Sequence, residues 1–139
     1  MQNTVRDWMN DLVVFVDPES LVLDALGTMR RRYINSLIVK KTADYPDYGI
    51  ITSIDICDKI VAQGKDPSAL KVKEIMSAPL ITVTPDMTIT ECARVMKERR
   101  IHHLPVSDAH GTVIGMISAN DFLVIAETLG RGPGDRLLS

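Results

Sequence analysis

Gly49-Ile50-Ile51-Thr52-Ser53-Ile54-Asp55-Ile56 recurs in character as Gly115-Met116-Ile117-Ser118-Ala119-Asn120-Asp121-Phe122, an offset of 66 residues. Both stretches run from apolar residues into a hydroxyl side chain, with an aspartate three residues later. That is the pattern of a strand turning directly into a helix with an acidic first turn. Towards the N-terminus, Val5-Arg6-Asp7-Trp8-Met9 lies over Val72-Lys73-Glu74-Ile75-Met76 at an offset of 67. The same offset carries Pro18 onto Pro85, Met29 onto Met96, Ile34 onto Ile101, Leu37 onto Leu104 and Val39 onto Val106. The step from 67 to 66 is one residue deleted between the two blocks. Ordered matches along most of the 139 residues make the chain two copies of one unit.

Each copy predicts the same elements. In repeat 2, Ile81-Thr82-Val83-Thr84 is a β-branched run stopped by Pro85-Asp86. Thr88 caps the next helix, with Glu91 completing a capping box. Ile89, Cys92, Ala93, Met96 and, at its end, Arg100 form a stripe at helical spacing. Leu104-Pro105-Val106 reads as a strand that Pro105 restricts to an edge or to its first residues. Asp108–Gly111 is a hairpin turn, Val113–Ser118 the returning strand, and Asp121–Leu129 a helix stopped at Gly130. Repeat 1 predicts strands at Val13–Val16, Ser36–Val39 and Gly49–Thr52, with helices at Ser20–Arg31 and Ile54–Gln63, the latter ended by Gly64. The expected fold class is α+β: two stacked βαββα-type repeats with pseudo-two-fold symmetry. Repeat 1 covers residues 1–64, a linker 65–71, repeat 2 72–130, and a flexible tail 131–139. About 60 residues bury too little surface to be robust alone, so the two units are expected to share a core and bound a crevice.

Composition narrows the function. Hydrophobic residues make up 45% and charged residues 24%, which excludes a disordered chain, a collagen-like rod and a disulfide scaffold. The formal charge of −2 lacks the basic excess of a non-specific nucleic-acid binder. Cys57 and Cys92 lie in apolar-periodic segments and are expected to be buried thiols. Trp8 is expected at a repeat junction or subunit interface. No basic leader precedes an apolar run, and no apolar stretch nears the roughly 20 residues that span a bilayer. A cytoplasmic protein with no membrane contact is therefore expected. Nothing reads as a nucleophile elbow or a Walker A loop. His102, His103, His110, Cys57 and Asp121 have no recognised metal-ligand spacing. Neither a catalytic nor a metal site is expected.

Taken together, these motifs resemble the CBS (cystathionine β-synthase) domain, and the tandem resembles a CBS pair, or Bateman module. The resemblance rests on the two openings at Val5 and Val72, Asp17-Pro18 and Thr84-Pro85, His102-His103-Leu104-Pro105-Val106, and the two Gly-to-Asp stretches. It covers about Val5 to Leu129. It implies a non-enzymatic regulatory module that binds an adenine nucleotide (AMP, ADP or ATP) between the repeats, with S-adenosylmethionine or NAD as further adenosyl ligands. Asp55 and Asp121 would accept hydrogen bonds from the ribose hydroxyls, and Thr52 and Ser118 would open the helix turn that meets phosphate. The Thr52–Asp55 site would draw Ala78, Ile101, His102 and His103; the Ser118–Asp121 site would draw Ile34, Asn35 and Ser36. Since Asn35-Ser36 replaces His102-His103, the two sites should differ. The resemblance also implies a homodimer, with an unidentified protein partner receiving the signal.

Plainer readings stand beside these. Thr52 and Ser118 also read as helix caps, with the aspartates as partners of the helix dipole. Arg30-Arg31-Arg32 and Lys97, Arg99, Arg100 read either as phosphate ligands or as cations at helix C-termini. His102 and His103 are adjacent, so at most one faces the crevice. A purely structural dimerisation module with no nucleotide site is the alternative function.

Overall fold

A computed structural model of the chain describes residues 3–131. The expected tail lies outside the described residues from 132 onward. The elements in order are α1 (Val5–Trp8), β1 (Phe15–Val16), α2 (Val22–Arg32), β2 (Ser36–Val39), β3 (Gly49–Thr52) and α3 (Ser53–Ile56). A π-helical turn at Cys57–Val61 continues α3, and a 3-10 turn follows at Val72–Glu74. The second half holds α4 (Ile89–Arg99), β4 (His103–Ser107), β5 (Val113–Ser118) and α5 (Asp121–Gly130). The class is α+β.

The packed units differ from the sequence repeats. One joins the chain up to Leu12 to the chain from Ile81 onward; the other is Val13–Leu80. Each repeat has given its opening segment to the other, and backbone hydrogen bonds show why. The Val5 and Arg6 N–H groups donate to the Met87 and Pro85 carbonyls, each at 2.9 Å. In the other unit Val72 and Lys73 donate to Ser20 and Pro18, at 2.8 and 2.9 Å. The methionine that ends each opening then packs on a glycine. A Cβ on Gly115 would lie 2.8 Å from Met9 Sδ and 3.1 Å from the Asn10 carbonyl. One on Gly49 would lie 2.8 Å from Met76 Sδ and 3.2 Å from the Ser77 carbonyl. Only glycine fits both places without displacing a neighbour.

In the Val13–Leu80 unit the sheet order is β1-β2-β3, with β1 parallel and β3 antiparallel to β2. In the other unit β4 and β5 pair antiparallel. There the expected strand over Ile81–Thr84 is reduced to a single bridge between Val83 and Val106. Pro105 explains the loss. In the first unit Ile38 N–H donates to the Val14 carbonyl at 3.0 Å, and Pro105 occupies the position of Ile38 with no N–H to give. The remaining rungs, Val83 to the Pro105 carbonyl and Ser107 to the Val83 carbonyl, hold at 3.0 and 2.9 Å. β4 is an edge strand of its two-stranded sheet, so Pro105 lies at an edge as expected, with its missing N–H on the side that faces Ile81–Thr84.

The two cores are built from matched positions. Val22, Ala25, Met29, Leu37, Val39, Ile51, Ile60, Val72 and Ile75 form one; Val5, Val83, Ile89, Cys92, Met96, Leu104, Val106, Ile117 and Ile125 form the other. Burying each larger aliphatic chain contributes about 1.5–3 kcal/mol. Trp8 packs against the second core, and its indole N–H meets no acceptor among the described residues. Cys92 is buried as expected, but Cys57 is exposed. The Arg100 end of the expected stripe is also exposed. It caps α4 in the left-handed conformation at φ 54°, as Tyr33 caps α2. Thr88 Oγ1 accepts from the Glu91 N–H at 3.2 Å, while the Glu91 carboxylate takes the Thr88 hydroxyl at 2.9 Å, leaving the capping box half made.

Candidate functional site

Each candidate site begins where a strand turns into a helix. In the Val13–Leu80 unit β3 ends at Thr52, and α3 starts one residue later. Asp55 Oδ2 accepts from the Thr52 N–H at 2.9 Å and from its hydroxyl at 3.1 Å. The Asp55 N–H returns a bond to Thr52 Oγ1 at 3.3 Å. In the other unit Asp121 Oδ2 accepts from the Ser118 N–H at 2.7 Å and from its hydroxyl at 3.2 Å. Here the helix starts only at Asp121, so Ser118 does not cap it. The helix-cap reading therefore holds for Thr52 and fails for Ser118, whose hydroxyl serves to orient the carboxylate.

The outer oxygens distinguish the two aspartates. Asp55 Oδ1 is ion-paired with Lys59 Nζ at 3.0 Å. Asp121 Oδ1 takes neither a hydrogen bond nor an ion pair among the described residues. A carboxylate has about four acceptor positions. On Asp121 no partner for Oδ1 is seen among the described residues, whereas Asp55 has one of its two outer positions occupied. Lys59 Nζ also donates to the Ile75 carbonyl at 2.8 Å, which fixes the ammonium from a second side.

Sequence reasoning missed Lys59, because its place depends on the helix geometry. Asp121 plus four is Ile125, a core residue. Asp55 plus four is Lys59, and the buried residue in this helix is Ile60. The π-turn over Cys57–Val61, marked by the Ala62 N–H donating to the Cys57 carbonyl at 2.9 Å, adds one residue to the turn. That advances the core position from 59 to 60 and releases position 59 towards the carboxylate. The available signal was that the offset of 66 residues sets the charged Lys59 opposite the apolar Ile125.

The expected base-reading residues fall at matched places. Ile34 and Ile101 follow the left-handed caps and donate to the Met29 and Met96 carbonyls at 3.0 and 3.2 Å. The Asn35 carbonyl accepts from the Ser53 N–H at 3.0 Å, and the His102 carbonyl from the Ala119 N–H at 2.9 Å. Each segment is thereby tied to the helix start in its own unit. Ser36 pairs with Thr52 in the sheet, and His103 with Ser118. Within one unit the structure thus brings together Thr52, Asp55, Ile34, Asn35 and Ser36, with Ala78 adjoining the Ile50–Ser77 bridge. Within the other it gathers Ser118, Asp121, Ile101, His102 and His103. His102 is exposed and His103 half-buried. Burial holds His103 below the ordinary histidine value; His102 adds to this, and Asp121 opposes it.

A groove of about 390 Å³ in the Val13–Leu80 unit is lined by Leu26, Met29, Arg30, Tyr33, Ile34, Asn35, Ser53 and Ile56. Ile34 and Asn35 line it, but Thr52 and Asp55 do not. Among the described residues, none of Arg30, Arg31, Arg32, Lys97, Arg99 or Arg100 is ion-paired. No group of three or more His, Cys, Asp or Glu among them forms a metal-ligand cluster. No helix among them is long and apolar enough to cross a membrane.

The comparisons agree with this geometry. The profile of the CBS domain matches residues 5–62 and 72–127. An uncharacterized protein of Methanopyrus kandleri is 34% identical over 113 residues, covering 81% of this chain and 57% of the relative, so the chain spans little more than half of that protein. The hexameric CBS-CP12 protein from bloom-forming cyanobacteria superposes with a TM-score of 0.86 at 31% identity, covering 94% of this chain and 76% of that one. The CBS domain pair of protein MJ0100, solved in complex with 5-methylthioadenosine and S-adenosyl-L-methionine, gives a TM-score of 0.80 at 25% identity, covering 92% and 98%.

Proposed function

The chain belongs to the CBS domain family, and from that premise we propose that it is a non-catalytic regulatory module that binds an adenosyl ligand, foremost AMP, ADP or ATP. The observation that carries the reading is Asp121. Its carboxylate is fixed by Ser118 through one oxygen, and the other is left to accept two donors. A ribose cis-diol supplies two O–H donors at that spacing, and hydrogen bonds to an ionised acceptor are the stronger kind. The complex of the MJ0100 pair supports the adenosyl class. Adenine is assigned to the backbone of residues 101–103 and 34–36 and to Ala78, with Ile101 or Ile34 against its face. The unpaired cations at the ends of α2 and α4 are assigned to phosphate, which favours nucleotides over S-adenosylmethionine.

Calorimetric titration of the protein with AMP, ATP, S-adenosylmethionine and NAD under one set of conditions tests this. Saturable binding of an adenosyl ligand, weakened by Asp121→Ala, is the expected result. Folded, ligand-free protein that binds none of them refutes the reading. Pairing Asp121→Ala and Asp55→Ala with variants at Ile34 or Ile101 then reads which base segment serves which carboxylate.

The output is assigned to self-association as a homodimer or to a protein partner. Leu123 and Val124, adjacent on α5, are 72% and 59% exposed, an apolar face that contact with a second chain would cover. That face also suits the purely structural reading. Light scattering with and without nucleotide distinguishes the two, since a scaffold dimerises regardless of ligand.

A further inference from the structure

We infer that Lys59 is an internal competitor for the ligand at Asp55, so the repeat 1 carboxylate is held closed while Asp121 stands open. The inference rests on the nucleotide reading above and adds a residue that sets the inequality of the two sites. Lys59 Nζ lies 3.0 Å from Asp55 Oδ1 and donates to the Ile75 carbonyl at 2.8 Å. The remaining oxygen, Oδ2, already takes two bonds from Thr52. A cis-diol arriving at Asp55 finds one acceptor position where it needs two, and must displace an ammonium to reach the other. The Asp55 side chain is only 12% exposed, so the ammonium is poorly replaced by water there.

The contact is built by the fold. The π-turn turns position 59 out of the core and brings Ile60 into it. The corresponding helix α5 has no π-turn; its residue four past the aspartate, Ile125, is 1% exposed and carries no charge.

The test removes Asp121 so that only the Asp55 site is read. Adenosine and AMP are titrated calorimetrically into Asp121→Ala and into Asp121→Ala/Lys59→Met. Methionine keeps the length of the side chain and its helix propensity without the charge. Lys59→Ala serves as a second variant, and circular dichroism confirms folding. Lys59 is 38% exposed and is not one of the buried core side chains, so its replacement leaves the core intact. The double variant is expected to bind both ligands about tenfold more tightly than Asp121→Ala, from an acceptor position freed and an ion pair no longer broken. Unchanged affinity overturns the inference. So does weaker binding of AMP with adenosine unaffected, which would make Lys59 a phosphate ligand. If the wild-type protein binds and neither Asp121→Ala protein does, the lock is also refuted, because freeing Asp55 opened nothing. If the wild type binds no adenosyl ligand, it is the nucleotide reading itself that has failed, and the lock falls with it.

Discussion

Asp55 and Asp121 occupy the same place in two copies of one motif, yet one carboxylate is sealed by a lysine and the other is open. The difference does not come from the motif. Thr52 and Ser118 hold their aspartates through the same oxygen and the same pair of donors. It comes from one extra residue in a helical turn downstream, which exchanges a core isoleucine for a surface lysine at the fourth position. A duplicated site can therefore diverge without a change in any residue that defines it.

The comparison breaks most sharply in the cores. Ile125→Ala and Ile60→Ala each remove a buried side chain and are expected to destabilise by about 2–5 kcal/mol, whereas Lys59→Ala is expected to cost less than about 1 kcal/mol. Urea unfolding reads all three. A Lys59→Ala cost equal to that of Ile125→Ala would show that position 59, not 60, fills the core. Where the repeats are alike, the variants should be alike. Gly49→Ala and Gly115→Ala each force a Cβ against a methionine sulfur and a carbonyl oxygen, at an expected cost of about 1–3 kcal/mol each. A large effect at one glycine and none at the other would contradict the exchanged packing of the two opening segments.

Smaller effects separate His103 from its counterpart Ser36. Burial keeps the folded His103 below the ordinary histidine value of about 6.5, so below that pH the unfolded chain takes up a proton more readily than the native one. Stability is then unaffected above about pH 7.5 and falls as pH drops through about 6.5 towards the folded value. The urea midpoint should follow this slope, and His103→Ser should flatten it. An unchanged slope in His103→Ser would remove His103 as its source. The cysteines give the mildest contrast. Burial pushes the Cys92 thiol up to about 11, while Cys57 is exposed. A thiol reagent at pH 8 should modify one cysteine per chain quickly and Cys92 only after denaturant is added. Two fast thiols in folded protein would contradict that burial.

Much of this was legible in the residues. The order of matched blocks gave the duplication and class, and the hydroxyl-x-x-Asp spacing located both carboxylates, because those features depend on neighbours within one turn. What was hidden depends on longer range. The exchange of opening segments is carried by backbone bonds from Val5 and Val72 to carbonyls in the other repeat, and backbone groups are the same in every sequence. The half-made sheet around β4 was half legible: Pro105 announced a missing donor, but not that the missing partner lay at Ile81. Cys57 read as buried because its segment is apolar-periodic, yet it lies on the outer side of its helix, as its counterpart Leu123 does in α5. Lys59 was hidden by a different cause, since a π-turn moves later residues by one position relative to the core.

We assign Asp121 as the open ribose acceptor, and the decisive measurement is calorimetric titration of AMP into wild-type, Asp121→Ala and Asp55→Ala proteins. Loss of two hydrogen bonds to an ionised carboxylate, at about 1.5–3 kcal/mol each, predicts that Asp121→Ala weakens the tightest binding by about a hundredfold or more, while Asp55→Ala leaves it within a few-fold. Tight binding that survives Asp121→Ala and disappears with Asp55→Ala would contradict the account.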